Sequence, residues 1–99
     1  MSAARLLIYG ATGYTGELIA REAVRRGLHP VLAGRTEATV AALARELGCD
    51  YRIASLDAPG ALDRALQGMT VTLHCAGPFA ATAAPMVAAC LRQRSHYLD

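Results

Sequence analysis

The residues with the clearest chemical potential are three glycines at the end of an apolar run. Gly10, Gly13 and Gly16 lie in the sequence Gly-Ala-Thr-Gly-Tyr-Thr-Gly, which directly follows the apolar residues 6–9 and precedes a helix-like segment. A strand, a glycine turn and a helix start in this order direct several backbone N–H groups and the positive end of a helix dipole at one point. This arrangement suits the binding of a phosphate.

A different physical requirement explains why glycine occurs at each of the three positions. Gly10 lets the chain leave the strand sharply, Gly13 leaves room where a pyrophosphate must approach, and Gly16 lets the helix pack closely on the strand. The spacing G-x-x-G-x-x-G is a variant of the G-x-G-x-x-G of most nicotinamide dehydrogenases, and a second strand opens about 20 residues after the first glycine, as the motif requires. We therefore predict a bound dinucleotide; the alternative is a tight turn with a structural role only.

The residues after the second predicted strand indicate which dinucleotide binds. NAD-binding proteins commonly carry Asp or Glu here to hold the ribose 2′-hydroxyl, whereas this chain has Ala-Gly-Arg-Thr at 33–36. Arg35 can pair with a 2′-phosphate in a bidentate manner and stack on adenine, and Thr36 can add a hydroxyl and a backbone N–H. We predict NADP in preference to NAD. The alternative is that Arg35 is a solvated turn residue.

Two further turns should share this edge of the sheet, because the carboxyl ends of parallel strands lie together. Asp57 follows the third predicted strand, and its carboxylate can either accept from the exocyclic amine of adenine or cap the short helix that follows. Ala76, Gly77 and Pro78 follow the fourth strand. They either leave the backbone bare beside the nicotinamide ribose or form an ordinary strand-to-helix turn.

Strand and helix patterns alternate along the whole chain. Short apolar segments without polar alternation predict strands that are covered on both faces. The predicted strands are 5–9, 31–33, 51–55 and 71–75, and the predicted helices are 14–26, 37–47, 59 or 60 to 66, and 80 or 82 to 94. Thr36 is a good N-cap for the second helix, and Gly48 closes it. Since Pro85 is tolerated only in a first turn, the fourth helix could begin near residue 83 or 84.

Four strand–helix units predict an α/β fold, a Rossmann-like doubly wound parallel sheet with right-handed crossovers. The expected strand order is 3-2-1-4, with an incomplete fifth strand at residues 97–99. The uncharged fourth strand would then be an open edge. Edge pairing or a swapped C-terminal segment could therefore give homodimers.

Composition restricts the function classes. The chain has 99 residues and a formal net charge of +2, too small and scattered to indicate nucleic acid as a partner. No apolar run approaches the ~18 residues of a transmembrane helix, and the N-terminus resembles no signal peptide. We expect no membrane association and a cytoplasmic location.

Residue usage also limits the chemistry. All 10 basic residues are arginines, so a Schiff-base lysine or the lysine partner of a catalytic tyrosine cannot come from this chain. Cys49, Cys75 and Cys90 are odd in number and widely spaced, which is typical of neither a disulfide framework nor a zinc site. Cys75 beside His74 is a weak nucleophile candidate, because neighbours on a strand point to opposite faces. We predict no catalytic residue and no metal site.

Four motifs together carry a family resemblance. GATGYTG after the first strand, LAGRT after the second, HCAGPF after the fourth and HYLD at the end resemble the NADP-binding N-terminal region of saccharopine dehydrogenase-like oxidoreductases. That group includes saccharopine reductases and bacterial trans-acting enoyl reductases, and the resemblance covers essentially the whole chain. GATGYTG alone is also similar to atypical short-chain dehydrogenases and NmrA-like redox sensors, although the Tyr-x-x-x-Lys pair of the former is absent.

The resemblance assigns roles to particular residues. It implies that the glycine turn holds the pyrophosphate, with the backbone of Tyr14 and Thr15 as donors. It also implies that Arg35 and Thr36 meet the 2′-phosphate and that residues 75–78 border the nicotinamide. The expected cofactor-binding residues are Gly10, Thr12, Gly13, Tyr14, Thr15, Gly16, Arg35, Thr36, Asp57, Ala76 and Gly77.

The resemblance also implies an activity. Family members are several hundred residues long and have a second domain that binds substrate and helps form dimers. We interpret residues 1–99 as a truncated NADP-binding domain, not catalytic alone, of an oxidoreductase that transfers hydride between NADP(H) and a carbonyl, imine or enoyl substrate. Substrate would be bound only through the missing domain. The alternative is a non-enzymatic NmrA-like dinucleotide sensor or an atypical short-chain dehydrogenase domain.

Overall fold

A computed structural model describes residues 4–77 and 79–99. Over these residues the elements are β1 Leu6–Tyr9, α1 Tyr14–Arg25, β2 Val31–Gly34, α2 Glu37–Leu47, β3 Tyr51–Ile53, α3 Pro59–Leu66, β4 Val71–His74, α4 Phe79–Gln93 and β5 His96–Leu98. The strands form one parallel sheet in the order β3-β2-β1-β4-β5. The predicted Rossmann-like fold and the order 3-2-1-4 are confirmed.

Helices cover both faces of this sheet. Leu7 and Tyr9 of β1 belong to a core with α3 and α4, whereas Ile8 belongs to a core with α1 and α2. β1 and β2 are therefore buried on both sides, which explains why their sequences are apolar without alternation. The loops that follow the strands are left at the sheet edge.

The fifth strand corrects one prediction. β5 pairs in parallel along β4, with Thr72 opposite Tyr97, so the expectation that β4 is an open edge is wrong, although β5 itself is short. Arg94 adopts φ 58°, and the Ser95 N–H donates to the Cys90 carbonyl at 2.9 Å, which turns the chain back after α4. The case for homodimers through β4 loses its basis because β4 is paired.

The fourth helix corrects a second prediction. α4 begins at Phe79 and contains Pro85 in its interior, so the expectation that Pro85 delays the helix start to residue 83 or 84 is wrong. Pro85 has no N–H for the carbonyl of Ala81. Ala81 is exposed, so water can satisfy that carbonyl. The other predicted ends lie within two residues of the observed ones.

Two further findings concern membrane spans and thiols. Within the described ranges, no helix has both the length and the apolar character needed to cross a bilayer. Cys49, Cys75 and Cys90 are all free thiols, as their spacing predicts.

Gly48 ends α2 in the left-handed conformation at φ 70°, also as predicted.

Candidate functional site

A cleft of about 560 Å³ lies across the carboxyl ends of the central strands. This is where open α/β sheets bind their ligands. Its lining residues are Tyr9, Gly10, Thr12, Gly13, Gly34, Arg35, Thr36, Ser55, Leu56, Asp57, Cys75, Ala76, Gly77 and Thr82. Eight of the eleven predicted cofactor-binding residues are in this set, and Tyr14, Thr15 and Gly16 are not.

The sheet order divides the cleft into two halves on either side of the glycine turn at the end of β1. The charged half consists of five lining residues at or after the ends of β2 and β3, which are Gly34, Arg35, Thr36, Ser55 and Asp57. We name as the neutral half the residues that follow β4, with one from α4: Cys75, Ala76, Gly77 and Thr82. A ligand that fills the cleft must pass over Gly10 and Gly13.

Gly10 connects the two halves. It has φ +80°, and a Cβ at this position would lie 2.7 Å from the Ala76 nitrogen. Its own N–H donates to the Ala33 carbonyl at 2.9 Å, and Ala11 donates to the same oxygen at 3.2 Å. The turn therefore contacts the end of β2 on one side and the start of the β4 turn on the other, so any side chain here would separate them.

Gly16 lies below the turn and not in the cleft. A Cβ at Gly16 would come within 2.1 Å of the Gly10 carbonyl oxygen. Glycine is required at position 16 because α1 packs closely on the backbone of the turn. This is the reason predicted from the sequence. Any contribution of Gly16 to a ligand must therefore come through its backbone N–H.

The start of α1, next to the cleft, leaves three backbone amides outside the helical ladder. Gly13 is the N-cap residue, and no side chain caps the helix. The first intrahelical bond is from the Glu17 N–H to the Gly13 carbonyl at 2.9 Å, so the amides of Tyr14, Thr15 and Gly16 precede the helical ladder. A Cβ on Gly13 would meet only the Gly10 oxygen, at 3.5 Å. The fold itself thus has room for a side chain at Gly13, and the space above it is open for a ligand.

Arg35 is the cation of the charged half. Its side chain is exposed, and the salt bridges found among the described residues do not include it. Thr36 occupies the N-cap position of α2, but its side chain makes no capping bond, which corrects the expectation that it caps this helix. The guanidinium, the hydroxyl and the first amides of α2 are therefore available to one anion.

Asp57 faces the cleft and does not cap α3. The N-cap residue of α3 is Ala58, and no side chain bonds to the helix start, so the capping alternative for Asp57 is wrong. Instead, the Ser55 hydroxyl donates to the Asp57 carboxylate. Burial is the main reason why the pKa of Tyr9 is raised; Arg35 lowers this pKa, and Asp57 raises it further. Both charged groups therefore lie close enough to affect the hydroxyl of Tyr9, a residue that also lines the cleft.

The neutral half presents backbone and small side chains. Ala76 and Gly77 line it directly, and Pro78, the third residue of the predicted turn, lies outside the described residues. Burial raises the pKa of the Cys75 thiol, which disfavours the thiolate form that a nucleophile needs. Cys75 packs against the core of α1 and α2, whereas the His74 ring contacts Tyr9 on the opposite face. The two side chains do not form a catalytic pair.

The comparisons with known proteins agree with this geometry. The profile of the saccharopine dehydrogenase NADP binding domain matches residues 6–99. The chain belongs to this family. It is 26% identical to the human saccharopine dehydrogenase-like oxidoreductase over 95% of the chain and 26% of that protein, and 31% identical to a trans-acting enoyl reductase of Mycobacterium ulcerans over 95% and 24%.

A solved structure shows the same fold. Apo saccharopine dehydrogenase (L-Glu forming) from Saccharomyces cerevisiae superposes with a TM-score of 0.83 at 19% identity, over 96% of this chain and 21% of that one. The chain spans about a quarter of the length of the two sequence relatives. The family is defined by NADP binding, so the prediction of NADP in preference to NAD is confirmed.

The cleft of this saccharopine dehydrogenase-like domain fits NADP(H) on structural grounds. The uncapped amides at the start of α1 and the open space above Gly13 match a diphosphate. Arg35, without a carboxylate partner in the described part of the chain, matches an additional phosphate monoester. The distance between these two groups of donors is set by β1 and β2, which are adjacent.

Sequence reasoning missed three polar residues of the cleft, which are Tyr9, Ser55 and Thr82. Tyr9 is 3% exposed, and its hydroxyl donates to the Ala54 carbonyl at 2.7 Å. The signal was present, because Tyr9 is a polar-ended aromatic residue directly before the glycine turn. Thr82 was also missed, although it is the one hydroxyl residue in the alanine-rich start of α4. The other unpredicted lining residues are Gly34 and Leu56, whereas Cys75 belongs to the turn 75–78 that was expected to border the nicotinamide.

Proposed function

We propose that this chain holds NADP(H) for an oxidoreductase that transfers hydride between the cofactor and a carbonyl, imine or enoyl group. The family match supports the cofactor, and the relatives named as oxidoreductase and enoyl reductase support the reaction class. Because the chain spans about a quarter of those relatives, substrate contacts and the proton donor are assigned to residues outside these 99.

The dinucleotide is placed across the whole cleft in this proposal. The diphosphate lies over Gly13 and accepts from the amides of Tyr14, Thr15 and Gly16. The 2′-phosphate meets Arg35 and Thr36 in the charged half, and Asp57 accepts from the adenine amine. The nicotinamide and its ribose lie in the neutral half beside Ala76 and Gly77. Thr12 lines the turn between the two halves.

The observation that carries this placement is the combination of free amides and open space at the start of α1. A structural turn has no need of a glycine at position 13, since a Cβ there meets only ordinary contact. A diphosphate does need it, because a side chain would occupy its position. When bound, NADP(H) supplies the hydride; the residues of this chain bind and orient it.

Calorimetric titration of three proteins tests the proposal. The native chain should bind NADPH more tightly than NADH. Gly13→Ala should lose at least about tenfold in affinity for both, which corresponds to about 1.4 kcal/mol. Gly60→Ala is the matched control, since Gly60 is exposed at the start of α3, outside the cleft, and a Cβ there would meet only the end of the Arg64 side chain, at 3.5 Å. It should bind both cofactors as the native chain does.

A stability control and two outcomes decide whether the proposal holds. Unfolding of Gly13→Ala in urea should match that of the native chain, so a binding loss reports the ligand contact. Equal binding by Gly13→Ala and the native chain would refute the placement of the diphosphate. Steady oxidation of NADPH by residues 1–99 alone in the presence of an enoyl thioester would contradict the assignment of substrate contacts to other residues.

A further inference from the structure

A chain of hydrogen bonds leads from the core to the lining of the neutral half. His74, at the end of β4, is fully buried, and its Nε2 lies 2.9 Å from the Thr82 hydroxyl oxygen. That hydroxyl donates to the Ala76 carbonyl at 2.7 Å. A carbonyl can only accept, so the Thr82 hydroxyl is the donor in this bond, and its oxygen accepts from the His74 Nε2–H. The chain of donation runs from His74 through Thr82 to Ala76.

This direction fixes the tautomer of His74. The proton is on Nε2, and Nδ1 is left as a bare acceptor. Among the described residues Nδ1 has no hydrogen-bond partner, although it is buried. Burial also lowers the pKa of His74, with a smaller opposing contribution from Asp99. The ring is therefore neutral near pH 7, and it retains an unsatisfied atom whose burial has a cost.

Three aromatic rings hold the imidazole in place. Tyr9, its register partner on β1, has its ring centroid 5.9 Å away. Phe79 of α4 approaches edge-on at 5.5 Å, and Tyr97 of β5 lies at 6.1 Å. Contacts from three different elements leave the ring little freedom to rotate. The position of its Nε2–H is set by the core and not by the cleft.

The end of this chain reaches the glycine turn. A Cβ on Gly10 would lie 2.7 Å from the Ala76 nitrogen, so the space between Ala76 and the turn is too small for any side chain. Both Thr82 and Ala76 line the neutral half. Any shift of the Ala76 peptide therefore changes the width of the cleft where the nicotinamide is placed.

We propose that His74 is a positioning residue for the cofactor. Through the Thr82 hydroxyl it fixes the Ala76 carbonyl and the first turn of α4, and this sets the shape of the neutral half while leaving the charged half unaffected. The inference rests on the proposed function for the identity of the ligand, but the hydrogen-bond chain exists without a ligand.

The first experiment needs no cofactor. His74→Phe keeps a ring but removes the donor, and His74→Gln keeps an N–H donor near the position of Nε2. In ¹⁵N–¹H spectra of the 99-residue chain, the amide signals of Ala76 and Gly77 should shift in His74→Phe and return toward their native positions in His74→Gln. Unchanged Ala76 and Gly77 signals in a folded His74→Phe would overturn the inference.

The second experiment separates the two halves with two ligands. Adenosine 2′,5′-bisphosphate occupies only the charged half, whereas NADPH occupies both, and its nicotinamide fluorescence reports the neutral half. His74→Phe should weaken NADPH about fivefold, which corresponds to about 1 kcal/mol for one lost hydrogen bond. His74→Phe should also change the fluorescence of bound NADPH. Its affinity for adenosine 2′,5′-bisphosphate should stay within about twofold of the native value. His74→Gln should restore both NADPH signals.

The outcomes distinguish this inference from the proposed function. If His74→Phe weakens both ligands equally, or leaves the bound NADPH fluorescence unchanged, the positioning role is wrong although NADP binding stands. If the native chain binds neither ligand, the proposed function fails, and the amide shifts alone decide whether the hydrogen-bond chain positions Ala76. Should His74→Phe not fold, Thr82→Val and Thr82→Ser replace it, with the amide shifts expected in Thr82→Val only.

Discussion

The two halves of the cleft are built on different physical principles. The charged half offers side chains to the ligand: Arg35 is exposed without a salt bridge in the described part of the chain, and Asp57 is held by the Ser55 hydroxyl. The neutral half offers backbone at Ala76 and Gly77 and has no charged group among its lining residues. Its polar atoms are fixed from below, by a buried histidine.

This difference indicates a division of labour. Exposed charges give affinity and selectivity, because they gain strong hydrogen bonds only when an anion arrives. A backbone surface supported by the core gives precise placement, because its atoms cannot move independently of the sheet. The proposed hydride transfer needs the nicotinamide held at a defined position, which is why we propose that the reactive ring binds in the neutral half.

The largest expected effect concerns the turn that joins the halves. Gly16→Ala would place a Cβ 2.1 Å from the Gly10 oxygen, and that oxygen already accepts from the Gly13 N–H at 3.1 Å. We expect the free energy of unfolding to fall by about 3 kcal/mol or more, as for severe overpacking. Urea unfolding followed by circular dichroism measures it.

The matched control for that substitution is Gly60→Ala, in α3, where the added methyl meets no backbone. Its unfolding midpoint should stay within experimental error of the native value. If Gly16→Ala also unfolds at the native midpoint, close packing at this turn does not join the two halves. The turn would then not be the structural connection between them.

The next largest effect belongs to the charged half. Arg35→Ala should weaken NADPH roughly 10-fold to 100-fold, because a bidentate, charge-assisted pair with the 2′-phosphate is lost. NADH lacks that phosphate and should bind as before. Raising the salt concentration should weaken NADPH binding to the native chain more than to Arg35→Ala. Titration of both cofactors at two salt concentrations measures these effects.

Arg45→Ala is the control for charge alone. Arg45 is exposed in the last turn of α2, away from the cleft. The two substitutions remove the same formal charge, so only a loss confined to Arg35→Ala supports direct contact. If both variants weaken NADPH equally, the charged half acts through its general field and not through one arginine.

The features that the sequence predicted are those that adjacent residues determine. The glycine turn, the helix that follows it, and Arg35 with Thr36 are contiguous in the chain, so their types and spacing were enough. The strand order followed from β1 and β2, whose continuous apolar character demands cover on both faces. The roles of Gly10 and Gly16 in close packing were also readable, since glycine is the residue that allows such approach.

The missed features depend on contacts between distant residues. The bond from Tyr9 joins it to Ala54, 45 positions away, and each residue alone has the character of ordinary core. His74 and Thr82 are 8 positions apart, and the predicted fourth helix could begin after Thr82. β5 was underestimated because its return depends on Arg94 in the left-handed region, where no glycine marks the turn. Local patterns carry no information on such pairings.

Tyr9→Phe sharpens the comparison from the charged side. The Tyr9 hydroxyl bonds the Ala54 carbonyl, next to Ser55, so it supports the turn that presents Asp57. Removing it should lower the free energy of unfolding by about 1 kcal/mol and weaken adenosine 2′,5′-bisphosphate a few-fold, with unchanged fluorescence of bound NADPH. Tyr97→Phe is the control, because within residues 4–77 and 79–99 the one partner of the Tyr97 hydroxyl is the exposed Asp99. An altered nicotinamide signal in Tyr9→Phe would show that the halves are not independent.

The smallest effect is the pH dependence contributed by the neutral half. Burial holds the pKa of His74 below its ordinary value of 6.5, so the native protein binds fewer protons here than the unfolded chain. Stability from this group is complete above pH 6.5 and is lost as the pH falls toward the native pKa. One such group removes at most about 0.7 kcal/mol between pH 7 and pH 6.

The groups around His74 allow this small effect to be isolated. Among the described residues Asp99 is the charged group that acts on His74, and it raises the pKa of the ring. The Tyr9, Phe79 and Tyr97 rings pack around the imidazole. Glutamine does not titrate, so the native chain should lose more stability than His74→Gln between pH 7 and pH 6, and the difference cancels every other titrating group. Urea unfolding at the two pH values measures it. Equal losses would mean that His74 is not held neutral, and the fixed Nε2–H donor that supports the neutral half would have no basis.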